Sequence, residues 1–410
     1  MNNVQNENTA GGFGALRINA YIGSRGTPAV GARVTVSSEN STEISYNAIT
    51  NESGQGGEIR LPTPPASYSD SADMPRPFNE YNVTAELSGE TVLIENVQLY
   101  PNTTAIQNII FSDRYEALSI PYPVLWGNYP EKIPESEIKR LPDPGGLVVL
   151  PKPVVPEFIV VHDGIPSDAN ADNYTVGYRD YIKNVASSEI YSSWPRETLK
   201  ANIVAINSFT LNRVYTEWYR SKGYDFTITS STAYDQSFSY GRNIYREISD
   251  IVDEVFDLYV SRTDVAQPLF TQYCDGIRVN RRGWLSQWGS KELGDRGLSA
   301  LQILRNYYGY DITLRQAERV EGVPLSFQGV IQSGSVGDAV RTIQNQLNTI
   351  SENYPRIPRL VEDGIFGPRT KNAVELFQQI FSLPVTGVVD FSTWYSVSNI
   401  YNAVRRASGV

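Results

Sequence analysis

The sequence predicts a multidomain α+β protein: an N-terminal β-sandwich, a central mixed α/β domain of catalytic type around a buried helix, and a C-terminal three-helix module. Three features predict it. Period-two alternation of apolar residues is confined to the first quarter, nine of the 24 prolines crowd between residues 118 and 157, and helical periodicity dominates thereafter. A chain of 410 residues has room for two to four domains at roughly 100–200 residues each.

From 12 to 117 the pattern is one of short strands. Leu16, Ile18, Ala20 and Ile22 alternate, as do Val34 with Val36, and Val83 with Ala85 and Leu87. Turn-forming stretches at 23–26, 51–54 and 88–89 separate these runs, which reads as a small antiparallel sandwich. Residues 118–156 form a proline-rich linker, where proline prevents continuous helix or central strand. Such a stretch is an extended connector or an arm wrapped on a neighbour.

The next domain, 157–328, holds the clearest helix, 195–219. Pro195 suits a first helical position. Leu199, Ala201, Ile203, Val204, Ile206, Phe209, Leu211 and Val214 fall on nearly every side, as in a helix buried all round. Further helices are expected from about Gly241 to Arg262 and from Ser299 to Tyr307. In the last domain, 331–405, Val340, Ile343 and Leu347 share one helical stripe, and Ala373, Val374 and Phe377 another.

Composition excludes several classes of function. A net charge of -10 without a long basic run argues against nucleic acid as a partner. A single cysteine, Cys274, forbids an intrachain disulfide and a multi-cysteine zinc site. A single histidine, His162, excludes a paired-histidine metal motif; at the end of the apolar run 158–162 it reads as structural. Cys274 reads as a buried small residue. No apolar run is long enough for a membrane span, and the polar start lacks the features of a classical signal peptide. The 26 tyrosines and 6 tryptophans suit carbohydrate surfaces, although they are ordinary core residues too.

Two glutamates frame the start of the buried helix. Ile182, Val185, Ala186 and Glu189 share one stripe if 181–190 is helical. A carboxyl there is desolvated or at the stripe's edge; desolvation fits it for general acid work on a glycosidic oxygen, the plainer role being a helix-end contact. Glu197 lies in the first turn of the long helix, where complementing the dipole is the plainer role.

These residues also carry a resemblance. Residues 181–190 and 194–209, with Trp284–Ser290 and Leu301–Gly309, resemble the stage II sporulation protein D and amidase-enhancer family in order and spacing. That resemblance implies peptidoglycan glycan strands as partner and lytic transglycosylase chemistry on one glutamate. The family's serine-glutamate element matches Glu189, with Glu197 the runner-up. Two departures stand out. The stretch 229–236 lacks the histidines and cysteine with which some members hold zinc, so no metal or other cofactor is expected, and Arg281 replaces a family histidine. Tyr234, Asp235, Gln236, Arg281 and Gln287 become candidate substrate-binding residues, with loop packing the alternative.

The segments 334–347, 363–378 and 385–390 with Trp394 resemble the type 1 peptidoglycan-binding domain, with Tyr354, Phe366, Trp394 and Tyr395 as candidates for stacking on sugars. The segments 28–36, 50–54 and 81–85 loosely resemble carboxypeptidase-regulatory-like modules. The order of parts resembles that of the clostridial spore cortex-lytic enzymes. It implies a precursor in the spore envelope or cell wall, with an activating protease or a cell-wall amidase as further partner. A silent wall-binding protein and a structural spore-layer or phage-like component are the competing readings.

Overall fold

A computed structural model of the chain describes residues 11–23, 27–38, 41–111, 115–127, 131–141, 152–319, 330–381 and 383–390, and scattered positions from 393 to 404. It is a mixed α+β multidomain structure. The N-terminal strands are β1 (Gly12–Ile22), β2 (Thr27–Pro28), β3 (Arg33–Ser38), β4 (Ser41–Ile49), β5 (Gln55–Thr63), β6 (Asn79–Leu87), β7 (Glu90–Leu99), β8 (Thr104–Phe111) and β9 (Ala117–Ser119). One sheet runs β4-β3-β6-β7-β9; in the other, β1 lies between β5 and β8. Leu16, Ile18 and Ala20 from one sheet and Val34, Val36, Val83 and Ala85 from the other are fully buried, so the alternation sets which face is core. The expected all-antiparallel pairing is corrected at two places. β1 runs parallel to β8, and β7 parallel to β9.

The central region contains β10 (Val154–Val155), β11 (Phe158–His162), β12 (Asn173–Gly177), α1 (Tyr178–Glu189), α2 (Arg196–Tyr215), β13 (Ile228–Thr229), β14 (Ile244–Tyr245), α3 (Arg246–Val255), β15 (Leu258–Arg262), β16 (Tyr273–Cys274), β17 (Leu285–Ser286), α4 (Gln287–Asp295), α5 (Ala300–Tyr308), β18 (Ile312–Gln316) and β19 (Glu318–Arg319). α2 is buried from Ala201 to Val214 without a break, as its sequence predicts. Its polar residues are paired in the core: Asn207 accepts from Tyr178 Oη (2.7 Å) and Ser208 Oγ from Val260 N (2.7 Å). Pro195 is the residue before the helix rather than its first member. The expected helix over 241–262 is shorter. α3 ends at Val255 and the apolar run Leu258–Ser261 turns into β15, which pairs with β18 and packs on α2.

The sandwich and the central region share a sheet, since β14 pairs with β8 through Ile244↔Ile106 and Tyr245↔Ala105. Trp194 Nε1 donates to Ser69 O (3.0 Å) beside the aromatic contacts of Tyr100, Tyr191 and Trp288. The proline-rich stretch is an arm, not a free connector. Its residues 123–127 and 131–141 lie against the central region, and 142–151 fall outside the described residues.

At the C-terminal end, α6 (Asp338–Ser351) and α7 (Pro368–Ile380) bury the two expected apolar stripes, and further helical residues lie between 393 and 404. Gln344 Oε1 accepts from Gly364 N (2.8 Å), and Gln378 Oε1 from Gly387 N (2.9 Å), so each helix pins one glycine turn. Phe366 and Trp394 are core residues, which removes them from the sugar-stacking candidates. Tyr354 packs on Phe381 at 4.9 Å, and Tyr395 lies outside the described residues.

Glu217, just past α2, holds a left-handed φ of 48° and is buried. Burial raises its carboxyl to about 7, partly offset by Arg220 and reinforced by Asp390 of the C-terminal segment. The folded protein therefore keeps a proton that the unfolded chain loses near 4.5. Stability from this group is complete below pH 4.5 and disappears as pH rises through 7. Glu217→Gln should flatten that slope and raise stability at pH 8 by about 3 kcal/mol, read from urea unfolding at pH 4, 6 and 8.

Candidate functional site

Glu189 closes α1 on the apolar stripe that Ile182, Val185 and Ala186 bury, and none of its surface reaches solvent. Three donors from separate segments converge on its carboxylate. Ser237 N (2.9 Å) and Tyr273 Oη (3.2 Å) donate to Oε1, and Gln287 Nε2 (3.2 Å) donates to Oε2. Gln287 opens α4 directly after the short strand β17, so the Leu285–Trp288 run places it. Tyr273 stands in β16, which pairs with β17. A buried carboxylate is tolerable only with such a set of donors.

The arm supplies the remaining side. Val124 N donates to Ser188 O (2.9 Å), next to Glu189. Lys132 enters from the same arm, with Nζ 3.8 Å from the Tyr273 ring centroid and donating to Asp235 O (3.2 Å). Desolvation holds its ammonium below the usual lysine range, while Glu189, Cys274 and Asp235 favour the charge. Lys132 is therefore buried beside the candidate acid.

The other candidates separate. Gln287, a substrate-binding candidate, is buried and donates to Glu189 instead. Asp235 and Gln236 do not line a groove. Asp235 is fully buried and accepts from Arg213 Nε (2.7 Å), Tyr219 Oη (2.6 Å) and Thr229 N (2.9 Å). Gln236 is buried against α1 and α2, accepting from Tyr181 Oη (3.0 Å) and Thr210 Oγ1 (2.8 Å). Both fasten the 229–237 loop so that Ser237 N reaches Glu189. Tyr234 is half-buried and its carbonyl accepts from Arg213 (3.1 Å). Arg281 pairs with Glu131 of the arm and lies 5.5 Å from the Trp284 ring centroid. Glu197 is half-buried and accepts from Ala300 N (2.7 Å), so it caps the start of α5.

Tyr273, Ser237 and Lys132 were not legible as site residues. A backbone N–H and a tyrosine among 26 leave no pattern, and Lys132 belongs to a stretch read as linker. His162 is structural. Its ring stacks on Phe226 at 4.4 Å and its nitrogens meet Asn173 Oδ1 (2.9 Å) and Ile165 O (3.1 Å). Cys274 is buried against Val124. Among the described residues no group of three or more His, Cys, Asp or Glu side chains is placed to hold a metal ion.

The model of the stage II sporulation protein family matches residues 171–257, which contain Glu189, Glu197 and the 229–237 loop. The model of the putative peptidoglycan-binding domain matches 336–396. The chain carries both domains. No protein with a curated description matches it. Similar solved structures include the SleB N-terminal domain, at 32% identity over 19% of this chain and 97% of that chain, TM-score 0.17. Another is the 5-hydroxyisourate hydrolase of Klebsiella pneumoniae, at 21% identity over 24% and 92%, TM-score 0.16.

If the three donors hold the buried carboxylate, Gln287→Leu should lower stability by about 1–3 kcal/mol, read as a shift in denaturant midpoint at unchanged slope. Glu197→Gln, which keeps an acceptor for Ala300 N, should cost less than 1 kcal/mol, roughly the dipole contribution.

Proposed function

We propose that the chain is a peptidoglycan-cleaving enzyme of the spore cortex, a lytic transglycosylase with Glu189 as general acid and then base. The reading rests on one observation: a wholly buried carboxylate, ringed by donors, lies within the stretch matched by the sporulation-protein model. Glu189 passes its proton to the glycosidic oxygen as the bond to the anomeric carbon breaks. The sugar's own 6-hydroxyl attacks that carbon and returns its proton to the carboxylate. One acid therefore suffices, whereas a hydrolase needs a second carboxylate to activate water or form a covalent intermediate. Asp235, the other carboxylate near Lys132, is held by Arg213, Tyr219 and Thr229 and is not free for that role.

The putative peptidoglycan-binding domain holds the enzyme on its polymer and raises its effective concentration there. The order of parts supports a SleC-like role, with a carboxypeptidase-regulatory-like sandwich, location in the spore envelope, and storage as a precursor. Arg281, in place of the family histidine, supports the second reading: a wall-binding protein that stimulates an amidase.

Purified cortex treated with the chain, intact and after limited proteolysis within 118–156, distinguishes these readings. Glu189→Gln should lower release of anhydromuramyl products about 10²–10⁴-fold while sedimentation with the wall is unchanged. Loss with Glu197→Gln instead would reverse the two glutamates, and no products from any form would leave the wall-binding reading. Removing 331–410 should weaken sedimentation without changing the chemistry of the products.

A further inference from the structure

The arm over Glu189 is built the wrong way round for a permanent strand. Between 131 and 141 its inward side chains are charged: Lys132 and Lys139 are buried, and Glu135 and Glu137 half-buried. Its apolar side chains Ile133, Ile138 and Leu141 are exposed. A segment that belongs to a core places them the other way. The arm is held by ion pairs and hydrogen bonds rather than by buried apolar surface, so it can leave without exposing a core.

The surface beneath it is suited to another occupant. Gln272 Oε1 accepts from Glu135 N (2.9 Å) while its Nε2 donates to Ile133 O (2.9 Å). Gln267 Oε1 accepts from Lys139 N (2.7 Å) while its Nε2 donates to Lys139 O (3.1 Å). Each buried glutamine thus reads one amide N–H and one amide C=O. On a glycan, an acetamido N–H or C=O together with a neighbouring hydroxyl offers such a donor and acceptor. Between them lies an aromatic floor, with Lys132 Nζ over Tyr273 and Lys139 Nζ over Phe270, both at 3.8 Å, where the flat face of a pyranose would stack equally well. Glu189 stands at the Lys132 end.

The geometry points to the trough under residues 132–139 as a glycan cleft, held shut by the arm as a substrate mimic, with Gln272 and Gln267 as seats for acetamido groups. This rests on the reading of Glu189 as the acid, and deepens it. Lys132 fills the cleft at the Glu189 end and leaves with the arm.

The test uses the full chain and N-acetylchitotetraose as probe, with calorimetric titration alongside hydrogen exchange of the arm. Two single changes loosen the arm. Lys132→Met removes its buried charge, and Ile133→Pro removes the N–H donated to Ala233 O at an exposed position, leaving the core untouched. Each should speed exchange of the arm amides and tighten tetrasaccharide binding at least about tenfold over wild type, and adding Gln272→Ala should reverse about tenfold, one hydrogen-bonded pair's worth. An arm that exchanges freely with no gain in binding overturns the inference. So does wild type that binds the tetrasaccharide equally well with its arm still protected. Gained binding without any cortex cleavage upholds the cleft and rejects the cleaving reading.

Discussion

The burial of one carboxylate organises the centre of this protein. Glu189 is wholly removed from water, and its burial is tolerated because a loop amide, a tyrosine hydroxyl and a glutamine amide arrive from three separate segments. Holding those donors in place requires the rest. Arg213 on buried α2 fixes Asp235, Asp235 fixes the loop that carries Ser237, and β16 with β17 fixes Tyr273 next to Gln287. The greasy, uninterrupted burial of α2 is what lets a single arginine serve as the pivot of that network.

Proton transfer from a buried acid needs both a dry site and a way in. Glu189 is out of contact with solvent, and the arm lies against its surroundings. Its inward charges are paired, Glu135 with Arg213 (2.7 Å) and Glu137 with Arg262 (2.5 Å), so the covered form is stable without being apolar. Burial holds Lys139 down to about 8 despite Glu135, a further sign that the arm's lysines are desolvated by their seat.

Much of the fold was legible locally. Alternation at Leu16–Ala20 and the all-round apolar pattern of α2 named core faces correctly, because each depends only on residues two to four apart. What was illegible is long-range. The parallel pairing of β1 with β8 and the entry of β14 into the sandwich sheet leave no local trace. The run Leu258–Ser261 was ambiguous between helix and strand, and burial against α2 decided it. At the site, spacing and resemblance point to Glu189, whereas the contact of Gln287 with it comes from the fold. Asp235 and Gln236 were misplaced, because a polar residue type does not distinguish a groove wall from a buried clamp. Lys132 was hidden by the prolines around it, although the charged residues at 132, 135, 137 and 139 already carried the inverted pattern.

If Glu189 works without a second acid, the attacking oxygen comes from the sugar and not from water. Digestion of cortex in ¹⁸O-labelled water, followed by mass spectrometry of the released ends, measures that directly. The expected result is 1,6-anhydro ends carrying no label. Reducing ends that have taken up ¹⁸O would contradict it.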